Sequence, residues 1–154
     1  MSEVDMFYVA CFVLSWIAWL LFADRDRWRE IVLVCIFAKT LALATDVLVF
    51  YYPLWEYIGP PLLVHLADDL GIYPVVTYLF IQRLPRERSP KSMLKYWIFW
   101  TTIAVAIEQI YVYSGHMQYH LWWNTWHSYI ADWLLYWIFY QFHKVFLLEK
   151  LSAK

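Results

Sequence analysis

Apolar positions in this chain come in long unbroken blocks, with neither the alternation of a half-buried strand nor the three-and-four spacing of a surface helix. From Met6 to Ala23 the one non-aromatic hydroxyl side chain is Ser15, and the charged run Asp24, Arg25, Asp26, Arg27, Arg29, Glu30 ends the block. About 20 such residues cross a hydrocarbon layer of about 30 Å, so the pattern predicts a first membrane span over 6–23. A second span over 31–52 carries Lys39 and Asp46, and Pro53 with Gly59-Pro60-Pro61 marks the turn after it. The third, over 62–82, has His65, Asp68 and Asp69 near its start and Gly71 and Pro74 inside. Pro74 cannot donate to the carbonyl of residue 70, which predicts a kink there. Spans four and five follow over 93–113, with Glu108, and 126–147, with Asp132. Short connections favour antiparallel neighbours. The predicted fold class is all-α: a polytopic membrane protein, one domain over 1–154, forming a compact bundle of five transmembrane helices.

Composition agrees with that pattern. Of the 154 residues 63% are apolar, 22% aromatic and 16% charged, against an apolar share of about half in soluble domains. Roughly 100 residues would lie in lipid, which leaves no room for a separate catalytic head. The net charge of -1 offers no field for nucleic acid. Basic residues instead obey a topological rule. Arg25, Arg27 and Arg29 separate spans one and two; Arg83, Arg86, Arg88, Lys91 and Lys95 separate spans three and four; Lys144, Lys150 and Lys154 close span five. Residues 52–61 and 114–124 contain neither Lys nor Arg. Because Lys and Arg mark cytoplasmic ends, the N-terminus is expected outside and the C-terminus in the cytoplasm of a multi-pass cell-membrane protein. The opening MSEVD lacks the basic stretch of a cleavable signal, so the first span is expected to be retained.

Aromatic residues cluster where the spans end. Trp55, Tyr57, Trp122, Trp123 and Trp126 fall at the outer boundary, and Trp28, Tyr96 and Trp97 at the inner one, the usual place for interfacial anchors. Cys11 and Cys35 lie about 18 Å apart in depth by helical rise, too far for a disulfide.

The intramembrane acids are more informative. Helical rise places Asp46, Asp68, Glu108 and Asp132 each about 8 to 9 Å below the outer end of its span, although neighbouring helices run in opposite directions. Turning ionised groups to lipid is costly, so four helices are expected to converge on one polar layer. His65 lies one turn from Asp68 and Asp69, with the spacing of a ligand pair, and Lys39 sits deeper on span two. Asp69 could instead face the headgroups. The candidate ligand- or ion-binding residues are therefore Lys39, Asp46, His65, Asp68, Asp69, Glu108 and Asp132. A metal would draw on His65, Asp68, His116, His120 and His127, the last three lying at or just outside the same surface; a divalent cation is the candidate cofactor. His143, near the cytoplasmic end, reads as interfacial. Five carboxylates against one buried base, Lys39, need protonation, a bound cation or a basic ligand. The layer could also simply fix helix register through hydrogen bonds.

Strong enzymatic motifs are missing. His116-x-x-x-His120 lacks the H-E-x-x-H pattern, no G-x-S-x-G or phosphate-cradling loop occurs, and axial haem ligation would have to pair His65 with a histidine from the outer loop or span five. The chain resembles a family of small polytopic membrane proteins of spore-forming Firmicutes, through DDLGIYP (68–74) leading into VVTYLFIQ, the YYPLW turn (51–55) and the aromatic-rich last span. The resemblance implies a bacterial inner-membrane protein and no active site. Likeness to the tryptophan-rich five-helix translocator and sensor family is compositional, since DRDRWRE stands where that family has a Pro-Trp-Pro-Pro type loop. The expected function is a binding, sensory or accessory membrane protein, acting with another membrane protein or as a homo-oligomer. A proton- or cation-coupled transporter and a metal-dependent intramembrane enzyme are the alternatives.

Overall fold

A computed structural model describes residues 2–152; Lys154, counted above among the basic residues of the last span, lies outside them. The main elements are α1 (Glu3–Phe22), α2 (Trp28–Tyr51), β1 (Trp55–Tyr57), α3 (Pro61–Ala67), α4 (Tyr73–Gln82), α5 (Pro90–Tyr113), β2 (Met117–Tyr119) and α6 (Thr125–Val145). Helices α3 and α4 are joined by a π-helical turn, Asp68–Ile72, into one rod. The result is an all-α helical bundle with a small two-stranded cap. Among the described residues three helical rods, Glu3–Phe22, Arg25–Tyr51 and Pro61–Gln82, are long and apolar enough to cross a membrane.

Local chemistry explains where the rods begin and stop. Ser2 and Asp5 exchange hydrogen bonds as a capping box at the start of α1. Ser89 caps α5 with Pro90 in its first turn, and Asn124 caps α6 by accepting from Trp126 and His127. The kink expected at Pro74 is accommodated as the π turn, in which the Tyr73 N–H donates to the Asp68 carbonyl. The Leu70 carbonyl, which Pro74 cannot serve, accepts from Trp16 Nε1 of α1 at 3.0 Å.

Burial separates the two ends of the bundle. One core joins Val34, Ala38, Phe80, Ile81, Trp100 and Phe139, among others, in the half holding the basic loops. A smaller one, Tyr8, Val64, Ala67, Tyr111 and Met117, lies at the opposite end. Helix α1 contributes only Tyr8 as a buried residue. Its remaining surface is apolar and outward, with Leu21 70% exposed, and Phe50 of α2 reaches 82%. Apolar surface of that extent is foreign to a soluble monomer.

The cap was not legible as structure. Antiparallel β1 and β2 pair Trp55 with Tyr119, Glu56 with Gln118 and Tyr57 with Met117. Three-residue strands are too short to show an alternation. Trp55 and Tyr57 of the cap, with Trp123, are half-buried and line a cavity. Trp28, Trp122 and Trp126 do face outward. Both cysteines are free.

Candidate functional site

The outer acids divide into two groups. Asp46 of α2, His65 of α3 and Asp69 of the π turn bring one ligand atom each to within 4.8 Å of one another, a cluster able to chelate a metal ion. His65 Nδ1 stands 2.9 Å from Asp69 Oδ2 across a single helical turn. Lys39 Nζ forms an ion pair with the same Asp69 carboxylate. A cavity of about 70 Å³ adjoins them. The Asp69 side chain is only 12% exposed, so it is a paired member of the cluster and does not face the headgroups.

The second group surrounds a larger space. Asp68, Glu108 and Asp132 line a cavity of about 380 Å³ between α2, the π turn, α4, α5 and α6. Consecutive helical residues differ by about 100° around the axis, which turns Asp69 toward Lys39 of α2 while Asp68 borders both this cavity and the smaller one. The expected His65–Asp68 pair is thereby corrected to His65–Asp69. Trp55, Tyr57 and Met117 of the cap also border the space.

The cap is tied to the helices by hydroxyls. Tyr119 donates to the Glu108 carboxylate and accepts from Gln109 Nε2 at 2.7 Å. Burial, followed by the contact with Glu108, raises the Tyr119 pKa and keeps its phenol a donor. From α1, Tyr8 donates to the carbonyls of Ile58 and His116, each at 3.0 Å. Its ring fills the place a side chain at Gly59 would need: an added Cβ would stand 2.4 Å from Tyr8 Cε2.

The outer histidines are dispersed. His116 stacks on Phe7 with ring centroids 3.8 Å apart and places Nδ1 2.9 Å from Ser114 Oγ. His120 Nε2 lies 3.3 Å from Glu56. His127 packs against Trp122 and Trp123. None of the three joins His65 in the converging cluster.

Sequence reasoning missed a polar group at the other end. Glu30 and His143 are each 1% exposed, with Nε2 of His143 3.2 Å from Glu30 Oε1. Arg27 completes the group as an ion pair with Glu30. His143 is therefore a core residue and not an interfacial one. The available signal was the three-residue spacing of Arg27 and Glu30, obscured by the charged run around them. Comparison with known protein families, curated proteins and solved structures finds no match to the chain.

Proposed function

We propose that this chain is a multi-pass membrane protein of five spans that binds a divalent cation just beneath its outer face and serves as a binding, sensory or accessory module. The observation that carries the cation reading is the convergence of Asp46, His65 and Asp69, from two helices, on one small volume. Two carboxylates and an imidazole suit manganese, iron or zinc better than a soft ion. The five-span reading is supported by rods of helical length in α5 and α6, of 24 and 21 residues, beside the three more apolar ones. Its orientation is supported by the meeting of the basic loops at one end, where Arg27 donates to the Gln82 carbonyl and Arg88 to Glu149. Placement in a bacterial inner membrane follows from the resemblance to the Firmicutes family and is part of the same proposal.

A binding role has more support than translocation. Inward of the large cavity the bundle is filled by Val34, Ala38, Phe80, Ile81 and Phe139, leaving the buried acids without a polar route to the inner end.

Lys39 makes the cation reading testable, because its ammonium already neutralises one ligand. Titration of nanodisc-embedded protein with Mn²⁺ or Zn²⁺ should show one saturable site, lost in Asp46→Asn and in His65→Ala. Lys39→Gln should strengthen it, since the ion no longer competes with a tethered cation. Binding that is insensitive to all three substitutions, or no saturable binding, would overturn the assignment.

A further inference from the structure

The large cavity poses a different chemical problem from the chelating cluster. Its carboxylates, Asp68, Glu108 and Asp132, have no Lys or Arg beside them in the lining. Among the described residues, the group that converges tightly enough for one small ion is Asp46, His65 and Asp69, so these three acids are too dispersed for a bare metal. Most of the wall is apolar, including Val76, Ile107, Leu135 and Phe139. At about 380 Å³ the space falls in the range of about 300 to 1,000 Å³ typical of small-molecule sites.

A second observation also points to an occupant. Tyr111 is 2% exposed and lines the cavity, and its buried hydroxyl, beside Asp68 and Cys11, reaches no partner with good hydrogen-bond geometry. Buried hydroxyls normally have partners, and an orphan beside unbalanced carboxylates leaves a polar position to be filled. Leu48 of α2 and Leu134 of α6 line the same cavity and are about half exposed, so its wall reaches the outward apolar surface between these helices.

We propose that this cavity binds an organic cation, a protonated amine on an apolar body, with the ammonium held among Asp68, Glu108 and Asp132 and the body against the apolar wall. The ammonium supplies the positive charge that the three carboxylates lack and donors beyond the one Tyr119 gives Glu108, and the body fills space that a metal would leave vacant. Entry past Leu48 and Leu134 would come from the lipid, which rests on the membrane reading above; the cavity assignment does not require a metal at Asp46–His65–Asp69, although Asp68 borders both spaces.

The test compares n-octylamine with 1-octanol, which share an apolar tail and differ in charge, on the full chain in nanodiscs. Octylamine should raise the unfolding temperature saturably, shift the fluorescence of Trp55 and Trp123, and bind roughly ten-fold or more tightly than octanol, the worth of one charge-assisted hydrogen bond. Asp132→Asn and Glu108→Gln should abolish that preference, and Asp46→Asn should retain it. Ala131→Phe, which fills the cavity while leaving every acid in place, should block octylamine and covers the case of an acid variant that does not fold. Discs of phosphatidylethanolamine against discs of phosphatidylglycerol identify the source: octylamine binding weakened only in the former means a lipid headgroup occupies the site, and equal binding means a free amine does. Equal stabilisation by octanol and octylamine, or unimpaired octylamine binding by Ala131→Phe, would overturn the proposal.

Discussion

Glu30 and Asp132 are both carboxylates held within the bundle, and they are provided for in opposite ways. Glu30, at the inner end, has Arg27 on one side and His143 on the other. Asp132, at the outer end, faces a cavity shared with two further acids and no base. The inner arrangement supplies its own counter-charge through Arg27, although His143 Nδ1 is left without a partner. The outer arrangement has no counter-charge in its lining, so its acids are carried at a cost to folding, and the binding proposed above would offset that cost. A buried charge thus marks structure or function according to whether the protein itself supplies the counter-charge.

The largest expected effect breaks this contrast directly. Glu30→Ala leaves the buried His143 and the part-exposed Arg27 without their shared acceptor and should cost about 2 to 3 kcal/mol, as for lost hydrogen bonds to a charged group. Asp132→Asn removes an unbalanced charge while keeping shape, and should be neutral or stabilising. Denaturation of both variants in the same detergent is the measurement. Equal losses would mean that the outer acids are structural after all.

The next effect concerns how each end is fastened. Gln82 fixes the inner turn, accepting from the Asp24 N–H and donating to the Phe22 carbonyl, both at 2.7 Å. The outer cap depends on Tyr8 lying against Gly59. Tyr8 is buried and hydrogen-bonded twice, so it cannot swing aside freely. Gly59→Ala should cost about 1 to 3 kcal/mol by overpacking, with increased hydrogen exchange confined to residues 55–58 and 116–120. Exchange that rises equally at the inner turn would contradict this local role.

Tyr119→Phe should cost less, about 1 to 2 kcal/mol, because it removes one donor from Glu108 and one acceptor from Gln109. Glu108 would then have one partner fewer beside the cavity. Thermal unfolding should reveal the loss, and combining the change with Glu108→Gln should reduce it. A penalty that Glu108→Gln leaves unchanged would separate Tyr119 from the carboxylate.

That the outer acids lie near one another at one end of the bundle was legible in the sequence, and direction around the helices was not. Counting residues placed Asp46, Asp68, Glu108 and Asp132 in one outer layer, because helical rise is constant. Their division into a chelating cluster and a cavity depends on rotation, and helices apolar on every side offer no amphipathic stripe from which to read it. Asp68 and Asp69 show the consequence: neighbours in sequence, Asp69 pairs with Lys39 and His65 while Asp68 lies where the two cavities meet. The π turn adds further rotation that no residue count contains. Glu30 was hidden for another reason, since a charged run at a span end ordinarily faces water. Its burial requires His143, 113 residues away, and single-chain spacing cannot reveal such a partner.

The smallest expected effect tests how the rod carrying both outer groups is held at its weakest point. Pro74 has no N–H, and Trp16 reaches from α1 to the Leu70 carbonyl. Trp16→Phe retains much of the aromatic surface but loses that donor, at a cost of about 0.5 to 1.5 kcal/mol. Pro74→Ala restores an N–H to the rod and lets the carbonyl find a partner within its own helix. If Trp16 matters because of the proline, the penalty of Trp16→Phe should shrink by about half or more when it is combined with Pro74→Ala. Additive penalties in this double-mutant cycle would break the link, because independent sites add and a shared acceptor does not. The cycle also sharpens the contrast between the ends: the inner turn is held by several polar bonds, whereas in the π turn the Leu70 carbonyl takes its bond from an indole on a neighbouring helix.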